Sequence, residues 1–221
     1  MAQTVVITGA NRGIGLELAR QWQARGERVI PVCREASAGL RDLCVSIVDG
    51  IDITTDEGPR ALTEAVAGEP VDTPFNNAGI LIDENLDNMN WATMRQQFEV
   101  NTLGPLRVTH ALLPTMGEGG KVGLMTSRMG SIADNDSGGR YGYRMSKAAL
   151  NAAGKSLSVD LKPRGIAVAI LHPGFVRTEM TGGNGMIDPD EAAGRLIQRM
   201  DELDLEGTGT FWHSDGSVLP W

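Results

Sequence analysis

Short apolar runs alternate with amphipathic stretches along this chain. The runs at residues 5–8, 29–33, 121–126 and 166–171 have the length of buried strands, and the stretches between them repeat apolar residues at helical spacing. Such alternation is typical of a parallel sheet whose strands are connected by helices. It predicts an α/β fold with a doubly wound parallel sheet and helices on both of its faces.

Glycine and proline residues punctuate the predicted elements. Helices are predicted over residues 16–25 and 144–162, and a third begins near Pro189 because proline is favoured in the first turn of a helix. Pro31 and Pro74 lie within two predicted strands, where each removes one backbone donor from the ladder of hydrogen bonds. Those two strands are therefore predicted against the usual preference of proline.

The chain is predicted to form one domain. Residues 1–221 contain neither an internal repeat nor a linker-like change in composition, and their number suits a single domain. Glycines at positions 182, 183 and 185 indicate a flexible segment. We expect a mobile substrate loop at about residues 175–190, within the single domain.

The charge balance narrows the range of partners. Among the 221 residues, 20 basic and 28 acidic side chains give a net charge of −8, which disfavours nucleic acid and anionic membranes. The longest aliphatic stretch, residues 166–171, is far shorter than the ~20 residues that cross a bilayer. The amino terminus has neither a basic region nor a cleavage site, so we expect a cytoplasmic protein with Cys33 and Cys44 reduced.

A glycine-rich turn follows the first apolar run. Residues 8–15 read Thr-Gly-Ala-Asn-Arg-Gly-Ile-Gly and connect a predicted strand to a predicted helix. Glycines let the backbone turn tightly and approach a pyrophosphate, whose negative charge the amides and dipole of the helix stabilise. The chain has no Gly-x-x-x-x-Gly-Lys-Ser/Thr motif, which argues against nucleotide hydrolysis. The turn therefore predicts a dinucleotide site.

The glycine spacing and several later motifs resemble those of the short-chain dehydrogenase/reductase family. The markers occur in the family's order and span nearly the whole chain: glycines 9, 13 and 15, Asp52, Asn76-Asn77-Ala78-Gly79, Asn101, Ser127, Tyr143-x-x-x-Lys147, and Pro173-Gly174 with Thr178. The ending, from Pro173 to Trp221, resembles the sniffer and C-factor-type carbonyl reductases. The resemblance implies a Rossmann fold and an oxidoreductase that transfers hydride between a nicotinamide cofactor and a small carbonyl or alcohol substrate.

Tyr143 and Lys147 are four residues apart and therefore share one face of a helix. An ordinary phenol has a pKa near 10, and a cation at about 4 Å in an effective dielectric of about 20 lowers it by about three units. The spacing thus predicts that Lys147 lowers the pKa of Tyr143. The resemblance implies that Tyr143 is the catalytic acid/base and that Ser127 holds the substrate oxygen. It also implies that Lys147 binds the nicotinamide ribose and that Asn101 keeps a water relay.

Two choices between similar residues arise near these motifs. A polar insert, residues 134–139, leaves Ser131 as an alternative to Ser127 for the catalytic serine. Ser127 is favoured because it follows a predicted strand, whose carboxyl end faces the ligand crevice. Tyr141 has Met145 four residues later, so it lacks the cation that the chemistry needs.

The second predicted strand ends in Val32-Cys33-Arg34, with no carboxylate where NAD enzymes of this fold bind the ribose hydroxyls. Arg34 and Arg12 instead offer donors that suit a 2′-phosphate, so NADP(H) is the expected cofactor and NAD(H) the alternative. The resemblance implies a cofactor site made of Gly9, Asn11, Arg12, Gly13, Ile14, Gly15, Arg34, Asp52, Ile53, Asn77, Ala78, Gly79, Tyr143, Lys147, Pro173, Gly174, Val176 and Thr178.

Other functional classes have less support. No serine lies in a Gly-x-Ser-x-Gly motif, and His110, His172 and His213 lack the spacing of metal ligands, so neither a serine hydrolase nor a metal site is predicted. A cofactor-binding signalling protein of the C-factor type, without turnover, is the alternative to an enzyme. Phe175 and Met180 indicate a mainly apolar substrate pocket. The resemblance also implies a homodimer or homotetramer.

Overall fold

The computed structural model describes residues 2–43 and 45–221, so the prediction for Cys44 lies outside the described residues. The strands are β1 (Thr4–Thr8), β2 (Arg28–Val32), β3 (Thr73–Asn76), β4 (Lys121–Met125), β5 (Ala167–His172) and β6 (Phe211–His213). The α-helices are α1 (Gly13–Ala24), α2 (Ala38–Arg41), α3 (Glu57–Val66), α4 (Trp91–Phe98), α5 (Gly104–Leu112), α6 (Tyr141–Leu161) and α7 (Pro189–Glu202).

The strands form one sheet with the order β2-β1-β3-β4-β5-β6, and every neighbouring pair is parallel. The order reverses at β1, because the chain moves outward to β2 and then returns to the other side of β1. In doubly wound sheets the ligand crevice opens at the carboxyl ends of the strands at this reversal. The predicted doubly wound Rossmann fold is confirmed.

Alternate residues of each strand face opposite sides of the sheet. Val5 and Ile7 of β1 belong to a cluster with α1 and α7, whereas Val6 between them belongs to a cluster with α3 and α5. Leu150 of α6 packs on β4 and β5. Each such side chain contributes about 1.5–3 kcal/mol when it is buried. In the described part of the chain, no helix is both long enough and apolar enough to cross a membrane.

Both prolines that were predicted to lie within strands do so. Pro31 lies in β2, and its carbonyl group accepts the backbone N–H of Val48 at 2.9 Å. β2 is the outermost strand of the sheet, and an isolated bridge between Val32 and Val48 lies on its outer side. The missing backbone donor of Pro31 therefore costs β2 little. Pro74 is the second residue of the short strand β3.

The long helix α6 begins three residues earlier than the sequence predicts. Glu84 accounts for this difference: its Oε2 accepts the N–H of Gly142 at 3.2 Å, and its carbonyl oxygen accepts the N–H of Arg140 at 2.6 Å. These contacts satisfy backbone donors that the start of a helix leaves without intrahelical partners. The predicted start of a helix at Pro189 is confirmed.

Candidate active site

The glycine turn brings the ends of β1 and β3 into direct contact. Gly9 has a φ of +66°, and a Cβ atom there would lie 2.8 Å from Cα of Ala78. A Cβ atom at Gly15 would lie 2.3 Å from the carbonyl oxygen of Gly9. The turn is therefore bare backbone at the reversal of the sheet. Because α1 begins there with unpaired N–H groups, the turn fits the pyrophosphate of a dinucleotide.

The Asn77-Ala78-Gly79 segment is fixed to the end of β1 by Thr8. Thr8 Oγ1 accepts the backbone N–H groups of Asn77 and Ala78, each at 3.1 Å. In return, Nδ2 of Asn77 donates to the carbonyl oxygens of Thr8 and Gly9, each at 3.1 Å. The side chain of Asn77 therefore shapes the cleft through its contacts with the glycine turn.

Two exposed arginines lie where the adenosine end of a dinucleotide was predicted. Arg34 follows β2, and Arg12 forms an ion pair with Glu179 of the 175–190 loop. Hydrogen bonds from the backbone and side chain of Thr54, at 2.9 and 2.7 Å, lower the pKa of Asp52, with a smaller contribution from Arg34. The cleft thus offers two guanidinium groups and one ionised carboxylate at this end.

Three other predicted cofactor residues have distinct surroundings. The carbonyl oxygen of Asn11 accepts the hydroxyl of Ser37 at 2.6 Å, which fixes the glycine turn to the residue that precedes α2. Ile14 lines a cavity that also reaches Ser127 and Tyr143. Ile53 is buried, and a Cβ atom at Gly104 would lie 2.7 Å from its Cδ1. Ile53 therefore packs directly against the start of α5.

Asn101 lies in a π-helical turn that joins α4 to α5, a type of turn that is frequent at functional sites. Its side chain is fully buried. Oδ1 accepts the N–H of Ile80 at 2.8 Å, while Nδ2 donates to the carbonyl of Ile80 at 2.9 Å and to Oγ of Ser146 at 3.0 Å. A Cβ atom at Gly79 would lie 3.5 Å from Nζ of Lys147. Asn101 thus fixes the backbone of residues 79–80 next to the side-chain nitrogen of Lys147.

Tyr143 and Lys147 lie on the first two turns of α6, and both are almost completely buried. Nζ of Lys147 is 5.9 Å from the centre of the Tyr143 ring and donates to the carbonyl oxygen of Met125 at 2.8 Å. Burial lowers the pKa of Lys147 to about 7, because the charged form loses its hydration. The lysine therefore exchanges its proton near neutral pH.

The expected lowering of the Tyr143 pKa is contradicted by the structure. Burial raises the pKa of the phenol above its usual value, and the hydrogen bond with Ser127 and the charge of Arg140 oppose this only in part. Burial also disfavours the charged form of Lys147 and so lowers its pKa. The positive charge that was expected to stabilise the phenolate is thereby weakened. The prediction of an acidified phenol was wrong because the spacing on a helix carries no information about burial.

Ser127, and not Ser131, faces the phenol. Ser127 follows β4, its Oγ accepts the N–H of Met129 at 3.2 Å, and it is hydrogen-bonded to Tyr143. Oγ of Ser131 instead donates to the carbonyl oxygen of Trp221 at 3.2 Å. The polar insert therefore leaves Ser127 at the strand end, where the sequence favours it.

A cavity of about 900 Å³ opens beside Ser127 and Tyr143, at the carboxyl ends of β4 and β5. The segment after β5 contributes Pro173, Gly174, Phe175, Val176, Thr178, Met180, Thr181 and Asn184 to its lining. The segment between β4 and α6, together with the start of α6, contributes charged residues, namely Arg128, Asp134, Asp136, Arg140 and Arg144. Thr178 also reaches the glycine turn, since a Cβ atom at Gly13 would lie 3.5 Å from its methyl group. The expected apolar wall is thus present on the loop side, and the opposite side combines five charged residues with neutral ones such as Leu81 and Met129.

Residues 3–186 match a family model described as short chain dehydrogenase. The chain belongs to the short-chain dehydrogenase family. It is 41% identical to 1-hydroxy-2-glutathionyl-2-methyl-3-butene dehydrogenase of Rhodococcus sp. (strain AD45), over 99% of both chains. It is also 42% identical to C-signal of Myxococcus xanthus, over 73% of this chain and 99% of that protein.

Solved structures of this family superpose closely on the chain. Carbonyl reductase Sniffer of D. melanogaster gives a TM-score of 0.92 at 31% identity, with 100% of both chains covered. The NADPH-bound carbonyl reductase from chicken fatty liver gives a TM-score of 0.90 at 28% identity, with 100% of this chain and 99% of that chain covered. The predicted similarity to sniffer and C-factor-type members of the short-chain dehydrogenase family is confirmed.

Two histidines that the sequence leaves unassigned meet beside the cavity of this short-chain dehydrogenase. His172 and His213 are partners across β5 and β6, with ring centres 5.0 Å apart. Burial, and then the neighbouring His213, lower the pKa of His172 to about 3, so the ring that lines the cavity is neutral at pH 7. Residues 2–43 and 45–221 contain no group of side chains suited to a metal ion. Only the strand pairing brings these histidines together.

Glu84 is a second residue near the site that sequence reasoning missed. Its buried carboxylate accepts hydrogen bonds from Thr93 at 2.8 Å, from Gln97 at 2.7 Å and from the N–H of Gly142 at 3.2 Å. It thereby fixes the backbone next to Tyr143. A single glutamate in a loop has no motif that would signal this role.

Proposed function

We propose that this protein is an NADP(H)-dependent oxidoreductase that reduces a carbonyl group, or oxidises the corresponding alcohol, with Tyr143 as the acid/base. The observation that carries the proposal is the buried phenol of Tyr143, which faces Ser127 in the wall of the cavity. The dehydrogenase name of the Rhodococcus relative and the carbonyl reductase names of the solved structures support this reaction class.

The residues around the glycine turn fit NADP(H). Gly9 and Gly15 leave bare backbone where a pyrophosphate lies in this fold. Arg34 and Arg12 provide guanidinium donors for a 2′-phosphate. When Arg12 binds this phosphate, its ion pair with Glu179 breaks. The NADPH bound to the chicken carbonyl reductase supports the same choice. When bound, NADPH supplies the hydride that reduces the carbonyl carbon.

Tyr143 supplies the proton in the direction of reduction. Because burial raises its pKa, the phenol stays protonated at neutral pH, which is the form that donates. Ser127 donates a hydrogen bond to the same substrate oxygen and stabilises the negative charge that develops there. Lys147, with a pKa of about 7, returns a proton to the phenol after turnover. The contact of Lys147 with the ribose and the water relay at Asn101 stay predictions.

Removal of one hydroxyl group tests this assignment. Tyr143→Phe is expected to abolish NADPH-dependent turnover while NADPH binding, followed by fluorescence titration, is retained. The matched control is Tyr141→Phe, which removes the same hydroxyl two residues earlier on α6, at a position whose partner four residues later is Met145. The control is expected to keep its activity. A Tyr143→Phe enzyme with a near-normal rate would remove the proposed mechanism.

The cofactor preference is tested by comparing initial rates with NADPH and NADH at equal concentration. Arg12 and Arg34 predict a higher rate with NADPH, because only this cofactor carries the 2′-phosphate that they fit. Equal rates would contradict the assignment of both arginines.

A cofactor-binding signalling protein without turnover is the second candidate. The 42% identity to C-signal over 73% of the chain is the observation that favours it. A panel of aldehydes, ketones and quinones, assayed for NADPH consumption, separates the two functions. Retained NADPH binding with no consumption on any of these substrates would favour the signalling function.

A further inference from the structure

Each hydroxyl residue of the proposed active site is followed directly by an arginine. Arg128 follows Ser127, and Arg144 follows Tyr143. A third arginine, Arg140, immediately precedes α6, and all three side chains line the cavity. This concentration of cations contrasts with the net charge of −8 on the whole chain. The overall composition of the chain therefore does not account for these three arginines in the cavity lining.

Partners inside the protein neutralise these arginines unequally. Arg128 is paired with Asp134 through both Nε and Nη2. Arg144 donates to the carbonyl oxygens of Gly138 and Gly139 and to the hydroxyl of Ser137, which are neutral groups. Within the described residues, Arg144 has no carboxylate partner. Its charge acts at longer range on Asp134, which is hydrogen-bonded to Arg128 instead.

Arg140 keeps one edge of its guanidinium group available. Its Nε donates to Asp83 at 3.2 Å, and Asp83 is itself largely exposed and lies outside the cavity lining. In the part of the chain that the structure describes, its Nη1 reaches only the sulfur of Met129, at 4.0 Å, which is a weak acceptor. In residues 2–43 and 45–221, no oxygen acceptor contacts the two terminal nitrogens of Arg140, so they are available to a further acceptor near Tyr143.

We propose that Arg140, supported by the charge of Arg144, forms an anion-binding subsite, and that the substrate carries a carboxylate remote from its reacting carbon. This inference rests on the proposed oxidoreductase function. A guanidinium edge binds a carboxylate through two parallel hydrogen bonds, so it selects this group over a neutral ester of the same shape. The cavity lining contains three guanidinium groups against two carboxylates. Arg128 is paired with Asp134, whereas the partner of Arg140, Asp83, contacts only its Nε from outside the lining.

The test compares two aldehydes that differ only in the proposed anionic group, para-carboxybenzaldehyde and its methyl ester. The ratio of their kcat/KM values with NADPH is measured for the wild type, Arg140→Gln, Arg140→Lys and Arg164→Gln. Comparing this ratio between enzymes cancels the different intrinsic reactivities of the two aldehydes. Arg164→Gln is the control, because Arg164 precedes the amino end of β5, whereas the cavity lies at the carboxyl ends of the strands. Among the described residues, its guanidinium group donates only to the carbonyl oxygen of Leu113.

Arg140→Gln is expected to lower the ratio of acid to ester by about tenfold, the usual effect of losing a hydrogen bond between charged groups. Arg140→Lys is expected to restore part of the ratio, and Arg164→Gln to leave it unchanged. The same ratio in the wild type and in Arg140→Gln would overturn the subsite while leaving the proposed reaction intact.

If neither aldehyde is turned over, this absence of turnover counts against the proposed function. The subsite is then tested separately, by calorimetric titration of the protein saturated with NADP⁺. Terephthalate is expected to bind more tightly than its uncharged diamide, and added salt is expected to reduce the difference because it screens the attraction. Equal affinity for the two compounds would overturn the subsite regardless of turnover.

Discussion

Alanine substitutions at Gly9, Gly15 and Gly26 separate the effect of backbone strain from that of crowding. Gly9 and Gly15 lie in the glycine turn, and Gly26 follows α1. At Gly26, φ is +84° and nothing lies within 4 Å of the new Cβ atom, so only strain is added. At Gly15, which lies in α1, the new Cβ atom would be 2.3 Å from the carbonyl oxygen of Gly9, so only crowding is added. Gly9 combines the two, with a φ of +66° and a distance of 2.8 Å to Cα of Ala78.

The expected magnitudes follow from these two causes. A left-handed backbone costs a residue with a Cβ atom about 1–2 kcal/mol, and an overpacked site costs about 1–3 kcal/mol. Gly9→Ala is therefore expected to be the most destabilising variant, by roughly the sum of the two costs. In a chain of this length each kcal/mol lowers the melting temperature by about 2–4 °C.

Melting temperature and NADPH binding are measured together on the three variants. Gly9→Ala and Gly15→Ala are expected to raise the Kd for NADPH at least about tenfold, since a shift of the turn removes its hydrogen bonds to the pyrophosphate. Gly26→Ala is expected to lower the melting temperature slightly and to leave the Kd unchanged. If Gly15→Ala melted and bound NADPH like the wild type, the close contact across the turn would have no functional role.

Three other outcomes follow from the site. The rate of carbonyl reduction in a single turnover is expected to stay constant through neutral pH, because burial raises the pKa of Tyr143 and keeps the phenol protonated. A fall in this rate centred near neutral pH would contradict the assignment. The pKa of Lys147 is about 7 when folded and near 10.5 when unfolded, so the unfolded state binds the extra proton between these values and stability rises with pH. Relative to Lys147→Met, the wild-type free energy of unfolding in urea should gain up to about 5 kcal/mol across that window, and a constant difference would refute the assignment. Glu179→Gln releases Arg12 and is expected to lower the Kd for NADPH by about two- to fivefold without changing the Kd for NADH, whereas an equal change for both cofactors would exclude the 2′-phosphate contact.

Spacing along the chain was sufficient to predict the architecture and the positions of the main motifs. The alternation within β1, the helical repeat after it and the glycines at 9, 13 and 15 depend on local backbone geometry, which neighbouring residues determine. For the same reason the four-residue step correctly placed Tyr143 and Lys147 on one helix. The start of α6 was missed because Glu84, from a distant loop, satisfies the first N–H groups of the helix.

By itself, the sequence determined which chemical groups this protein has and on which elements they lie. Only the tertiary structure decided that the pKa of Tyr143 is raised, that Ser127 and not Ser131 faces it, and that Arg140 keeps a free edge beside the cavity. These properties depend on how completely water is excluded and on which distant segments supply partners. Exclusion of water and long-range pairing arise only when the sheet and helices pack together, so no local pattern of residues records them.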